Sequence, residues 1–189
     1  MVRPVPRVFL GIALPPGLRE QLALAAGGIP GARWVPADSM HLTLHFIGEA
    51  EGAPLRKVVD ALGTLRTPPF SLELRGVGTF PPRGKPRVLW AGVGGEREAL
   101  FELHEELGRS LRRSGIEFER RKFAPHVSLA RFSSAPIERR LAHWIGEHAM
   151  LSTPSFVVDR AFLFSSIRHP GGARYAIEAA GRLGSAGDR

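Results

Sequence analysis

The chain has 189 residues, 43% of them hydrophobic and 23% charged, with a net charge of +8 and no cysteine. This is the make-up of one ordinary globular domain over residues 1–189. It excludes disulfides, cysteine metal centres and thiol nucleophiles. No apolar run reaches membrane-spanning length. Residues 8–14 are apolar but too short for a signal peptide, and they stop at Pro15-Pro16. The absence of cysteine fits a cytoplasmic protein. The positive charge suits phosphate-rich partners, above all nucleic acid. With only three lysines, Lys57, Lys85 and Lys122, the excess is largely arginine, as a GC-rich genome would also produce. The clusters say more than the total: Arg83 to Arg87 and Arg120-Arg121-Lys122 fall in expected loops.

In chain order, residues 8–14 read as a strand. Pro15-Pro16 then opens a helix over 18–26, and Gly27-Gly28 ends it. Trp34-Val35 is a short extended piece, and 41–47 is a strand. Leu55, Val58, Val59 and Leu62 give 51–65 helical spacing, Pro68-Pro69 stops it, and 70–80 reads as a long strand. The second half repeats this order. Residues 87–93 form a strand, and 96–113 an amphipathic helix with Leu100, Leu103, Leu107 and Leu111 on one stripe. A short extended piece at 117–118 and a strand over 126–132 follow. Then come a helix over 137–150, a long strand over 156–165 and a last strand over 175–179.

The order strand, helix, short strand, strand, helix, long strand therefore occurs twice, in units of about 7–80 and 87–165. Val8 to Val88 is 80 residues, His41 to His126 is 85 and Phe70 to Phe156 is 86. A duplicated unit of strands packed against helices is an α+β architecture. Approximate twofold symmetry would bring equivalent strands together at a central cleft.

The fourth element of each unit carries the most informative residues, His41-Leu42-Thr43-Leu44 and His126-Val127-Ser128-Leu129. Side chains alternate across a strand. His41 and Thr43 thus share one face, as do His126 and Ser128. A single His-x-Thr is ordinary decoration of a solvated strand face. Two copies at equivalent places can set an acid and a base on either side of one reacting atom.

Imidazoles exchange protons near neutral pH, and an in-line displacement at phosphorus needs one proton removed and one supplied. The Thr43 and Ser128 hydroxyls can donate to phosphoryl oxygens as charge develops. Zinc is the competing chemistry, with His45 as third ligand because ideal alternation puts it on the His41 face. Zinc leaves the hydroxyls unexplained, so the reading is metal-free. No Walker lysine accompanies Gly92-x-Gly94-Gly95, and no Gly-x-Ser-x-Gly elbow occurs. His104, His143 and His148 fall on helices and read as surface residues, and His169 falls in a loop. Phe9, Phe80 and Trp90 could stack on a base, although core aromatics are the more common case.

These motifs resemble those of the 2H phosphoesterases, and most closely the bacterial and archaeal RNA 2′,3′-cyclic phosphodiesterases, also called 2′-5′ RNA ligases. The likeness runs through Arg7 to Pro15, Trp34 to Gly48, Phe80 to Trp90 and Phe123 to Arg131. Ser128 stands where the family usually has threonine, which bears on rate rather than mechanism. The resemblance implies a bilobal fold of two antiparallel sheets around a cleft, with helices packed outside. It implies hydrolysis of cyclic phosphate ends to 2′-phosphomonoesters, with 2′-5′ ligation as a possible reverse activity, and neither metal nor cofactor. His41 would be the proton donor and His126 the proton acceptor, with Arg131 as phosphate contact and His45 as a further cleft residue. On an ideal strand Arg131 has the wrong parity, so a bulge or strand end must turn it inward. The expected partners are RNA ends and nucleoside 2′,3′-cyclic phosphates, for a monomer. Two alternatives remain: a small-nucleotide cyclic phosphodiesterase, and an RNA-binding module without turnover.

Overall fold

The computed structural model describes residues 5–82, 84–169 and 172–184, and only the backbone of 167–169 and 172–174. Arg83, part of one expected basic cluster, lies outside the described residues. The elements are β1 (Arg7–Ala13), α1 (Pro16–Leu24), β2 (Ala32–Trp34), β3 (His41–Glu49), α2 (Gly52–Leu62), β4 (Phe70–Phe80) and β5 (Val88–Gly95). They continue with α3 (Arg97–Arg113), β6 (His126–Phe132), α4 (Glu138–His148), β7 (Phe156–Val158), β8 (Arg160–His169) and β9 (Gly172–Arg182). The expected α+β architecture is present. No strand forms at 117–118, although the Glu119 N–H donates to the Phe46 carbonyl at 2.9 Å.

The strands join in the order β7-β4-β5-β6-β3-β1-β8-β9, with β2 paired to β6. The two expected sheets are the halves of this curled array. They meet where β3 and β6 pair antiparallel at Leu42 and Val127. Past that point β6 turns to β2, through Ala32–Phe132 to Trp34–Ala130. From the joint outward the order is β3-β1-β8 on one side and β6-β5-β4 on the other. Each half of the chain thus lends its last strand to the other half's sheet.

That exchange overturns the single long strand expected over 156–165. Phe156 and Val158 are buried where β7 pairs with β4. Ala161 and Leu163 are buried in the other half, where β8 lies between β1 and β9. The break at Asp159 is held by the Leu183 N–H, which donates to the Asp159 carbonyl at 2.9 Å. A run of apolar residues gives no sign of such a change of partner. The last strand is also longer than its 175–179 apolar core, because β9 pairs with β8 from His169–Gly172 to Arg160–Arg182. His169 therefore lies in β8 rather than in a loop.

The stripe on α3 is wholly buried at Leu100, Leu103, Leu107 and Leu111, against β3, β4 and α2. Truncating any one to alanine should cost about 2–5 kcal/mol. Leu42, Leu44, Val127 and Leu129 belong to the same core. The opposite face of β3 and β6 is thereby left to His41, Thr43, His126 and Ser128. Among the described residues, no helix is long and apolar enough to cross a membrane.

Candidate active site

The motif strands bring their histidines together at the joint of the two half-sheets. Leu42 and Val127 are paired and fully buried, so their neighbours on either side point to the opposite face. His41 and His126 are then diagonal neighbours on that face. An ideal ladder sets such positions about 7–8 Å apart, a gap that one phosphate can bridge.

Both imidazoles are fixed in the same way. The His41 Nδ1–H donates to the Ser39 carbonyl at 2.8 Å, and the His126 Nδ1–H to the Ala124 carbonyl at 2.7 Å. Each acceptor lies two residues upstream, so each motif orients its own ring. This leaves both Nε2 atoms for chemistry. The Ser39 carbonyl follows from a 3-10 turn, Ala37–Ser39, just before β3.

Each motif strand also contains a bulge at the residue after its hydroxyl. Against β1, Gly11 pairs with Thr43 and Leu10 with His45, which leaves Leu44 as the extra residue. Against β5, Trp90 pairs with Ser128 and Leu89 with Ala130, which leaves Leu129 extra. A bulge reverses the alternation downstream. Leu129 and Ala130 are both buried, and Arg131 is exposed on the side of His126 and Ser128. This is the turn that Arg131 requires. Its charge acts on both rings, opposing the cationic form of His41 and of His126.

The same bulge corrects the placement of His45. Parity put it beside His41, but Leu44 and His45 are buried together toward α3. His45 is 4% exposed. Its Nε2–H donates to the His104 carbonyl at 2.8 Å, and its ring stacks on His104 at 4.1 Å. Gly108 makes room for it, since a Cβ there would lie 3.2 Å from His45 Cε1. His45 is therefore not placed to join His41 and His126 around one ion. Among the described residues, no group of three His, Asp or Glu side chains could hold a metal ion.

The two rings have different surroundings. His41 packs on Phe9 at 4.6 Å, Tyr175 at 4.8 Å and Phe164 at 5.6 Å between ring centroids. Burial there lowers its pKa to about 4, against the raising effect of the Ser39 bond. His126 meets the Phe80 edge at 4.8 Å. Its pKa is also lowered, first by burial and then by Arg121 and Arg131, against the Ala124 bond. In the unliganded protein at neutral pH both imidazoles are neutral.

On the His126 side the cleft continues into a cavity of about 400 Å³. Thr43 and His126 stand at it, with Phe46, Phe80, Phe123 and His104 around it and Arg121 and Lys122 along it. His104 is thus not the surface residue that its helix suggested. Its side chain is 16% exposed, it stacks on Phe123 at 4.0 Å, and burial lowers its pKa to about 4. A sequence signal existed: position 104 is four residues after Leu100 and three before Leu107, on the buried side of the wheel. His143 is exposed, as expected, while His148 stacks on Trp144 at 3.9 Å.

The family profile described as LigT-like phosphoesterase matches residues 12–90 and 93–175. The chain belongs to that family. An Aeropyrum pernix protein named RNA 2′,3′-cyclic phosphodiesterase is 38% identical over 113 residues, 60% of this chain and 64% of that protein. A Thermotoga maritima protein of the same name is 33% identical over 151 residues, 78% of this chain and 77% of its own length. The chain thus spans less than two thirds of the Aeropyrum relative. The Escherichia coli LigT structure with 3′-AMP superposes with a TM-score of 0.76 at 29% identity, covering 94% of this chain and 98% of that one. The family profile extends over both motif strands of this LigT-like chain, 41–49 and 126–132.

Proposed function

We propose that the protein hydrolyses 2′,3′-cyclic phosphate ends of RNA to 2′-phosphomonoesters. The observation that carries the reading is the pair of self-oriented imidazoles, His41 and His126, on one face of the joint with Thr43, Ser128 and Arg131. The relatives' names support the substrate class. The palindromic strand order supports the two-unit description of the domain.

In this reading the His126 Nε2 takes a proton from water as the water oxygen attacks phosphorus. The phosphorus–O3′ bond breaks, and the proton on His41 Nε2 passes to O3′. The product carries a 2′-phosphate and a 3′-hydroxyl. Thr43, Ser128 and Arg131 meet the charge on the phosphoryl oxygens. An incoming 5′-hydroxyl in place of water would give a 2′-5′ linkage by the same steps.

His41 must be protonated to serve as donor, and the empty site opposes that. The substrate supplies the remedy: its phosphate anion sits against the ring and favours the imidazolium. The donor is therefore charged by the ligand it acts on. No step requires a Lewis acid.

The test is hydrolysis of a cyclic-ended oligonucleotide, with 2′- and 3′-phosphate products separated, with and without EDTA. A 2′-phosphate product at an EDTA-insensitive rate is expected. Loss of activity in EDTA, restored by zinc or manganese, would sink the metal-free mechanism. Inertness toward RNA ends with turnover of ADP-ribose cyclic phosphate would move the substrate class to small nucleotides.

A further inference from the structure

The catalytic face carries a positive charge that the reaction above does not use. We propose that Arg33, together with Arg131, seats the phosphate on O5′ of the terminal nucleotide, so that the site selects a phosphorylated end over a bare nucleoside cyclic phosphate; this rests on the phosphodiesterase reading above.

β2 and β3 partner β6 in turn. Leu42 of β3 lies opposite Val127, and Ala32 to Trp34 of β2 lie opposite Phe132 to Ala130. Between the two, the Val35 N–H donates to the Leu129 carbonyl at 2.8 Å and holds the chain against β6. Arg33 is thus directly across from Arg131. Directly opposed residues share a face. Ala130 and Phe132 are buried in the core, so the two arginines stand on the face of His126 and Ser128. Trp34, beside Arg33, turns the other way onto Trp144 of α4.

Like charges directly opposed across an antiparallel pair are unfavourable, and the rung holds nothing to offset them. Among the described residues, Arg75, Arg121 and Arg160 meet carboxylates, and Arg19 and Arg87 donate to carbonyls. Arg33 and Arg131 do neither, and both are exposed. The other neighbour of Arg131 on the rung is Val88 of β5, which is apolar. Asp38, the next acid after Arg33, accepts the Ser39 hydroxyl at 3.1 Å. Two unpaired guanidiniums repel in the empty protein and are both satisfied once an anion lies between them. Phosphate fits that place, because each planar guanidinium can donate two parallel bonds to its oxygens.

The rung also lies at the right remove from the chemistry. With Leu42 opposite Val127, His41 stands at the level of Ser128. Arg33 and Arg131 lie three residues further along β6, about 10 Å of strand rise, which the bulge at Leu129 shortens. An arginine side chain reaches back over much of that span. Arg131 does so, since its charge acts on both His41 and His126. Arg33, on the outer strand, is left for the neighbouring phosphate. A cyclic-ended RNA has one such group, on O5′ of the terminal ribose. A free 5′-phosphate would present the same oxygens there as a chain phosphodiester.

The experiment measures kcat/KM for adenosine 2′,3′-cyclic phosphate, for its 5′-phosphorylated form, and for the adenosine dinucleotide with the same cyclic end. All three share the reacting centre, and the last two carry a phosphate on O5′. In the native protein both should exceed the first by about 10-fold, the worth of one charge-assisted contact. Arg33→Gln should remove most of that advantage, and Arg33→Lys should keep part of it. The log–log salt slope for the 5′-phosphorylated substrate should also shrink by about 0.7 in Arg33→Gln. Because the opposed charges weaken the empty protein, Arg33→Gln should unfold at an equal or higher urea concentration, which loss of a structural arginine would not produce. An advantage lost from both phosphorylated substrates assigns the seat to any O5′ phosphate; one seen and lost only with the dinucleotide assigns it to a chain phosphodiester. An advantage that survives in Arg33→Gln, or a loss shared equally by all three substrates, would overturn the proposal. So would equal kcat/KM for the three in the native protein, which leaves the phosphodiesterase reading intact. Hydrolysis of none of them by the native protein would overturn both.

Discussion

His41 and His126 occupy corresponding places, yet among the described residues aromatic rings crowd His41 while a cavity opens beside His126. The backbone frames match: a carbonyl two residues upstream orients each ring, and a bulge follows each hydroxyl. The shells around the rings differ. Three aromatic rings surround His41, whereas His126 meets Phe80 and a cavity. The comparison separates two jobs. The strand geometry sets where the imidazoles stand, and the packing around each sets how readily it takes a proton.

The most severe way to break the comparison is to remove a ring. His41→Ala and His126→Ala should each lower kcat/KM for a nucleoside 2′,3′-cyclic phosphate by about 10²–10⁴-fold. Neither should disturb the fold, which circular dichroism can check. If either variant kept a tenth of the native rate, that histidine would not transfer a proton. Loss of a hydroxyl should cost less. Ser128→Ala should lower turnover by at most about 10²–10³-fold, the value of one donor to a charged oxygen. Ser128→Thr keeps the donor and should stay near the native rate. Inactivation by Ser128→Ala as complete as that by His126→Ala, with folding intact, would contradict its role.

The pH profile sharpens the difference between the sides. One ring must be protonated and the other neutral, so kcat/KM should follow a bell set by two coupled ionisations of the free enzyme. Both imidazoles are held below the ordinary value of 6.5, His41 at about 4. The optimum of kcat/KM should therefore lie on the acid side of 6.5. The optimum of kcat, which reports the complex, should lie higher, because the bound phosphate anion favours both cations. Phe164→Ala opens the His41 side, and the limb belonging to His41 should move up toward 6.5. A kcat/KM optimum above neutrality would show that burial does not govern these rings.

Much of this was legible in the sequence because it is local. Alternation placed β3 and β6, the leucine stripe placed α3, and the repeated His-x-hydroxyl pattern marked the joint. What failed was long-range. The bulges at Leu44 and Leu129 depend on pairing with β1 and β5, so alternation sent His45 to the wrong face. It left Arg131 waiting on a bulge that only the register reveals. The split of the 156–165 run is a change of partner between two half-sheets, which no local pattern encodes. His104 was misjudged because a polar residue beside an apolar stripe looks solvated until the facing strand is known. The cavity itself arises from segments far apart in the chain; Phe80 was a stacking candidate from the sequence, but nothing local showed that Phe46 and Phe123 would meet it.

The smallest expected effect tests the filled side through stability rather than rate. The folded pKa of His41 is about 4 against 6.5 for the unconstrained ring. Between those values the unfolded chain binds the proton more readily than the folded one. By linkage, stability is present above pH 6.5 and is lost as pH falls toward 4. A tenfold difference in proton affinity between the folded and unfolded chain is worth about 1.4 kcal/mol, so acidification from pH 7 to pH 5 should cost about 2 kcal/mol through His41. Urea unfolding at the two pH values measures the loss in the native protein. His41→Gln removes the ionisation, so its stability should depend less on pH by about that amount. His126→Gln should relieve less of the loss, because the His126 side is open. If the two variants flattened the dependence equally, or neither did, the packing of Phe9, Phe164 and Tyr175 would not be what separates the two histidines.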